Sequence, residues 1–393
     1  MTTHLMKTYG RLPVNFVRGE GIWLWDEEGN KYLDAVAGVA VCNLGHCHPA
    51  VTAAIQEQAG QLMHTSNWYG IPLQEQLADR LCAISGMDSV FFSNSGAEAN
   101  EAAIKIARLH GHNKGILNPS IIVADDSFHG RTMATLTATG NRKVHAGFEP
   151  LVQGFVRVPY NNLEAIEQVG EINKDIVAIM VEPIEGEGGV VVPDEGYLKG
   201  LRKICDNNGW LLILDEIQTG MGRTGKWFAC QHENIIPDVM TLAKGLGNGF
   251  PIGACLAHGE AANTLQPGNH GSTFGGNPLA CRAALAVIDV MDSANIPAQA
   301  SATGQYICDK LNNALGQLSG VKTIRNKGML IGIELDRDCA DLMQSALAQG
   351  LLINVTAGNI VRLIPPLIMT ETEADQLIDG ICGLLTDYLA AAA

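Results

Sequence analysis

The chain has 393 residues, enough for two domains, and at 47% hydrophobic and 17% charged it has the composition of a globular protein with a sizeable core. With 26 Lys and Arg against 41 Asp and Glu, the formal charge of -15 repels nucleic acid and anionic membrane surfaces, so anionic ligands must be held by individual arginines. Ten cysteines without a Cys-x-x-Cys pair argue against a disulfide framework or a structural zinc site. The lack of a span-length apolar run, and of a signal pattern in Met1 to Pro13, leads us to expect a cytoplasmic protein.

In chain order, strand-like pieces at Ile22 to Trp25 and Lys31 to Leu33 flank the turn Asp26-Glu27-Glu28-Gly29-Asn30. Gly45-His46-Cys47-His48-Pro49 carries imidazole and thiolate groups, but adjacent residues cannot readily all face one ion, and no second cluster completes a ligand set. A turn entering a helix, with Pro49 in its first turn, is the expectation there. Helical spacing follows at Val51, Ala54, Ile55, Gln58 and Leu62, and again at Leu73, Leu77, Leu81 and Ile84. Strand-length apolar runs then alternate with helical stretches: Ser89 to Phe92, Ile121 to Ala124, Ile176 to Val181, Trp210 to Leu214, Val239 to Ala243 and Ile252 to Leu256. That alternation predicts an α/β fold with a mostly parallel sheet covered by helices. After a long helical stretch from Pro278 to Met291, short strands around Met329 to Leu335 and Asn359 to Ile364 predict a smaller α+β domain, with which the N-terminal segment is expected to pack. The expected division is residues 1-48, part of the small domain, then 49-280, the large domain, then 281-393. Ala390 to Ala393 is expected to be a frayed end.

Three features carry chemistry. Lys244 ends an apolar run and opens the turn Gly245-Leu246-Gly247-Asn248-Gly249, which suits either an exposed strand-end lysine or a desolvated amine that attacks carbonyls. Asp215 closes the run Leu211-Leu212-Ile213-Leu214 at the strand end where open α/β sheets bind ligands, serving either as a cap or as a partner for a pyridinium nitrogen. Ser95-Gly96-Ala97-Glu98 has capping-box spacing and starts a helix whose free amides suit a phosphate. By contrast, Gly220-Met221-Gly222-Arg223-Thr224-Gly225-Lys226 mimics both G-x-G-x-x-G and a P-loop. Trp227 stands where a P-loop needs Ser or Thr, and the glycines do not follow directly on the strand, so nucleotide binding is not expected there.

Together with Asn43 to Pro49, Ser93 to Asn100, Phe128-His129-Gly130-Arg131-Thr132, Glu182-Pro183-Ile184-Glu185-Gly186-Glu187, Asp215 to Gly220, Lys244-Gly245 and Gly271 to Pro278, these features make the chain resemble the class III, ω-amino-acid group of pyridoxal-phosphate-dependent aminotransferases over nearly its whole length. The resemblance implies fold type I, with a seven-stranded large-domain sheet, and pyridoxal 5′-phosphate as cofactor. It assigns Lys244 to the cofactor aldehyde, Asp215 to the ring nitrogen, Gln218 to the ring hydroxyl region, Phe128 to the ring face, and Ser95, Gly96 and Ala97 to the phosphate. Thr273 would reach the phosphate from the neighbouring subunit, which implies a homodimer. Arg362 is implied for the α-carboxylate of 2-oxoglutarate, with Glu187 as its alternate partner, although a structural ion pair would account for the same residue. Arg131 is implied as the clamp for the other substrate carboxylates.

Val39 stands where members that act on free ornithine use a tyrosine. A small apolar residue there favours an N-acylated substrate, so the expected reaction is ping-pong transamination of N2-acetyl-L-ornithine with 2-oxoglutarate. N-succinylornithine, N-succinyl-diaminopimelate and 4-aminobutyrate are the alternative donors, and a regulatory pyridoxal-phosphate-binding protein is the non-enzymatic alternative.

Overall fold

Seven apolar segments assemble into one sheet. The computed structural model describes residues 4–391; the first three residues of the expected N-terminal segment, and residues 392 and 393 of the alanine end, lie outside the described residues. Three N-terminal strands, β1 (Phe16–Glu20), β2 (Trp23–Asp26) and β3 (Lys31–Asp34), precede the large-sheet strands β4 (Ser89–Ser93), β5 (Ser120–Ala124), β6 (Phe155–Val158), β7 (Ile176–Val181), β8 (Leu211–Asp215), β9 (Val239–Leu242) and β10 (Gly253–Ala257). The large sheet runs β4-β10-β9-β8-β7-β5-β6, and only β10 is reversed, pairing antiparallel with both β4 and β9. Every residue of β7 and β8 is buried, because helices cover both faces of the central strands, and this is why those strands read as unbroken apolar runs.

The strands missed by patterning lie at edges. β6, Phe155-Val156-Arg157-Val158, is only partly buried at one margin of the large sheet. In the C-terminal third, β11 (Val321–Lys327) is likewise polar and half exposed. It starts the antiparallel sheet β11-β12-β15-β14, with β12 at Leu330–Leu335, β14 at Asn354–Thr356 and β15 at Ile360–Leu363. The remaining strand, β13 (Leu351–Leu352), pairs in parallel with β3, so the sheet β1-β2-β3-β13 joins the two ends of the chain.

Parallel pairing of β8 and β9 brings their carboxyl ends side by side, with Asp215 in register with Thr241. Lys244 follows in a short turn at φ 44°, and Ser95 caps the helix Gly96–Asn113 that follows β4. The strand ends therefore converge on one crevice.

The segment Gly220 to Lys226 is a loop tied down by Arg223, which is fully buried with no carboxylate partner. Its Nη1 donates to the carbonyls of Met329 (3.1 Å) and Pro365 (2.5 Å), and its Nη2 donates to Asn43 Oδ1 (2.6 Å). Burial lowers its pKa to about 9. Arg223 thus ties its loop to three distant stretches of the chain. His46 is similarly occupied, with Nε2 lying 2.7 Å from Asp34 Oδ2, while His48 directly precedes the helix begun by Pro49. Among the described residues, no helix is long and apolar enough to cross a membrane.

Candidate active site

A cavity of about 450 Å³ lies in the crevice, lined by Ser95, Gly96, Ala97, Phe128, Arg131, Asp215, Ile217, Gln218 and Lys244. Most of the residues singled out in the sequence therefore meet in one place.

At one end, Ser95 accepts a hydrogen bond from the Glu98 amide (3.2 Å), while Glu98 reaches back one residue beyond the usual box, to the Asn94 amide (2.7 Å). The Gly96 and Ala97 amides have no protein acceptor among the described residues, as the first turn of a helix dictates. A Cβ on Gly96 would lie 2.7 Å from the Ile217 side chain, so only glycine lets the helix start this close to the strand-end loop. Free amides and the helix dipole make that end an anion site.

At the other end stands Asp215, buried and acting as a hydrogen-bond hub. Its Oδ2 accepts from Asn100 Nδ2 and from His129 Nδ1, both at 2.8 Å, and among the described residues its Oδ1 accepts only the Ile217 amide, at 3.1 Å. Asn100 in turn donates to the His129 carbonyl (2.8 Å) and accepts from the Thr241 hydroxyl (2.7 Å). This network fixes the carboxylate and leaves Oδ1 an unused acceptor site. Burial is the main force lowering the Lys244 pKa; Glu187 opposes it, Arg362 reinforces it, and Asp215 and Glu182 oppose it more weakly. A lysine held that way loses its proton more readily than an exposed one, as a nucleophilic amine requires.

Glu182 receives the amides of Phe128 (2.9 Å) and Gly186 (3.2 Å) and so braces two loops of the crevice. Burial, then Asp215, raises its pKa. Phe128 carries the Arg131 guanidinium 5.8 Å from its ring centroid. Gln218 lies against Gly186, where any Cβ would come within 2.2 Å of its Oε1. That oxygen accepts from Arg362 Nη1 at 3.2 Å. Arg362 is 1% exposed and its Nη1 lies 2.8 Å from Glu187 Oε1, so the expected pair is formed.

Four expected residues are not among those lining this cavity: Arg362 and Glu187, which adjoin it through Gln218, and Val39 and Thr273, which sit apart from it. Val39 belongs to a left-handed turn, with Ala37, Gly38, Val39 and Ala40 at φ 51°, 64°, 63° and 59°, and it packs against the cluster of Ala40, Ile184, Val190, Leu330 and Ile364. Its neighbour Val41 lines the cavity instead. Thr273 lines a separate surface depression with Trp68 and Ser272. Sequence reasoning assigned no role to Asn100, His129, Glu182 or Asn354. The first three lie inside quoted motifs, so a search for buried polar residues within them would have found those three; Asn354 has no such marker.

The group this site would hold must be flat, anionic at one end, and able to accept an amine and offer a proton donor to a carboxylate. An aromatic plane, free amides, Lys244 and Asp215 are arranged to meet those requirements in that order. A parallel α/β sheet presenting such a lysine and carboxylate at adjacent strand ends is the architecture of pyridoxal-phosphate-dependent transferases of fold type I. The family model for class-III aminotransferases matches residues 5–385, and the chain belongs to that family. An acetylornithine aminotransferase of Nitrosomonas europaea is 58% identical over 387 residues, covering 98% of both chains. Among solved structures, an ornithine aminotransferase from Toxoplasma gondii ME49 superposes with a TM-score of 0.95 at 35% identity, covering 98% of this chain and 93% of that one. An acetylornithine aminotransferase from Elizabethkingia anophelis gives a TM-score of 0.88 at 36% identity, covering 98% of this chain and 96% of that one.

Proposed function

We propose that this enzyme transfers the terminal amino group of N2-acetyl-L-ornithine to 2-oxoglutarate, with pyridoxal 5′-phosphate as its cofactor, giving N-acetyl-L-glutamate 5-semialdehyde and L-glutamate, a step of arginine biosynthesis. The observation that carries this reading is Lys244, its pKa lowered by burial, in one cavity with the Asp215 hub and the free amides of Gly96 and Ala97. The names of the relatives support acetylornithine as the donor.

When bound, the cofactor supplies an electron sink for the carbanion left by deprotonation at the substrate carbon. The chain's own residues do the rest. Asp215 would offer Oδ1 to the ring nitrogen, with Asn100 and His129 holding the carboxylate in place. Phe128 and Ile217 cover the ring and keep water out, while Ser95, Gly96 and Ala97 hold the phosphate. Lys244, uncharged at lower pH than an ordinary lysine, would take up and hold the proton removed from the substrate carbon. Arg131, at the exposed mouth, holds the ornithine carboxylate and later the distal carboxylate of the oxo acid. Arg362 holds the α-carboxylate of 2-oxoglutarate, and Glu187, whose side chain is 38% exposed and has room to move, screens it while the amino donor is bound. Val39, two residues before the cavity-lining Val41, is small and apolar, which would leave space for an acyl group beside the cavity.

The active unit in this reading is a cytoplasmic homodimer, with Thr273 acting across the interface. The exposed Trp68, Tyr69 and Phe274, close to Thr273, support that surface as the subunit contact. The division into residues 1-48, 49-280 and 281-393 accords with this reading, the first and last segments forming the small domain that carries Arg362.

Mixing the holoenzyme separately with acetylornithine, succinylornithine, succinyl-diaminopimelate and 4-aminobutyrate, and following the visible absorbance, tests the assignment. Bleaching is expected to be fastest with acetylornithine and to reverse on addition of 2-oxoglutarate. A faster response to another amine moves the substrate assignment to that amine, and no response to any of them leaves a regulatory binding protein.

A further inference from the structure

Arg362 is held by a residue that none of the motifs contains. Asn354 and Arg362 are register partners on the antiparallel strands β14 and β15, so their side chains project from the same face directly opposite one another. Asn354 Oδ1 accepts from Nε at 3.0 Å and from Nη2 at 2.7 Å, gripping the side-on edge of the guanidinium. The oxygen assignment follows from chemistry, since an amide nitrogen has nothing to offer a group that only donates.

A guanidinium has five N–H groups. Two go to Asn354, and Nη1 faces Glu187 at 2.8 Å and Gln218 Oε1 at 3.2 Å. Only one Nη2 hydrogen is left over. A carboxylate binding bidentately must therefore use the end-on edge, Nη1 with Nη2, and that edge includes the donor engaged by Glu187. We infer that Asn354 is a positioning residue that occupies the side-on edge of Arg362, so that Glu187 and the substrate carboxylate compete for the same end-on donors and exchange rather than bind together. As a neutral amide, Asn354 fixes the guanidinium without neutralising its charge. A carboxylate at that position would keep the grip and lose the attraction for an incoming anion.

The inference rests on the reading of Arg362 as a carboxylate site, and its test separates the two. The probe is glutarate, a dicarboxylate with no keto group to react, titrated calorimetrically into the holoenzyme of wild type, N354A, N354D, R362Q, E187Q and N354A/E187Q, with steady-state kinetics for 2-oxoglutarate alongside. Both Asn354 variants are expected to weaken glutarate about tenfold or more and to raise KM for 2-oxoglutarate by a similar factor, while kcat changes little, because a hydrogen-bonded charge loses its orientation in one and its net charge in the other. E187Q is expected to tighten glutarate several-fold in the wild-type background and to lose that gain when combined with N354A. A cofactor spectrum matching wild type shows that each variant is folded, and N354D keeps the side-chain size should N354A fail that check. Glutarate affinity in N354A and N354D within about twofold of wild type, alongside abolished binding in R362Q, would overturn the role of Asn354. Undiminished binding in R362Q would remove the carboxylate assignment itself, and this inference with it.

Discussion

Asn100→Ala is the sharpest probe of the hub around Asp215. Asn100 has no exposed surface and makes three hydrogen bonds of 2.7–2.8 Å. Alanine strips Asp215 Oδ2 of one of its two donors, removes the donor to the His129 carbonyl, and leaves the buried Thr241 hydroxyl without its acceptor. A bond to a carboxylate is worth about 1.5–3 kcal/mol and each neutral one about 1 kcal/mol, so a loss of about 4 kcal/mol is expected, with the vacated amide volume adding to it. That is a large share of the ~5–15 kcal/mol typical of a folded domain. Urea unfolding of the apoprotein should show the midpoint falling at an unchanged slope, and pyridoxal phosphate should dissociate faster from the variant. Asn100→Asp, which keeps the shape but sets a second carboxylate beside Asp215, should lose more. A change below about 1 kcal/mol in N100A with normal cofactor retention would refute the claim that this network holds Asp215 in place.

Burial, with Glu182, Asp126 and Asp125 nearby, raises the Glu185 pKa from its ordinary 4.5 to about 9. The folded state therefore binds its proton more tightly than the unfolded chain, so stability falls as pH rises from about 4.5 to about 9; Glu185→Gln should flatten that fall in thermal melts at pH 5, 7 and 9. If Thr273 serves the partner's site, mixing the inactive K244A and T273A subunits should restore activity to about a quarter of wild type, because half of the random dimers would carry one intact site of two; no recovery after subunit exchange would refute a role for Thr273 in the partner's site. Val39→Tyr should raise the rate with free ornithine relative to acetylornithine in parallel half-reactions, and an unchanged ratio would dissociate that position from donor choice.

The sequence made the central layer legible because burial on both faces forces continuous apolar runs, so β5, β7, β8, β9 and β10 stand out along with β4. Edge strands β6 and β11 carry Arg157, or Lys322 and Arg325, on partly solvated faces, and their composition does not distinguish them from loops. The same logic separates the site residues. Asp215 and Lys244 announce themselves because one ends a buried strand and the other stands just past the end of the next. Asn100 and Asn354 do not, since a helix-borne and a strand-borne asparagine acquire meaning only from what the fold sets opposite them, Asp215 in one case and Arg362 in the other. The left-handed turn at Ala37 to Ala40 was equally invisible, because β-branched Val39 gives no hint of positive φ.

The acceptors of Arg223 come from Asn43, Met329 and Pro365, which places an order on assembly during synthesis. A nascent chain exposes this cation early, and the carbonyls that satisfy it emerge from the ribosome only when nearly all of the polypeptide has been made. A chain released or paused before position 365 therefore lacks the Pro365 acceptor, and water must satisfy the Arg223 guanidinium in its place.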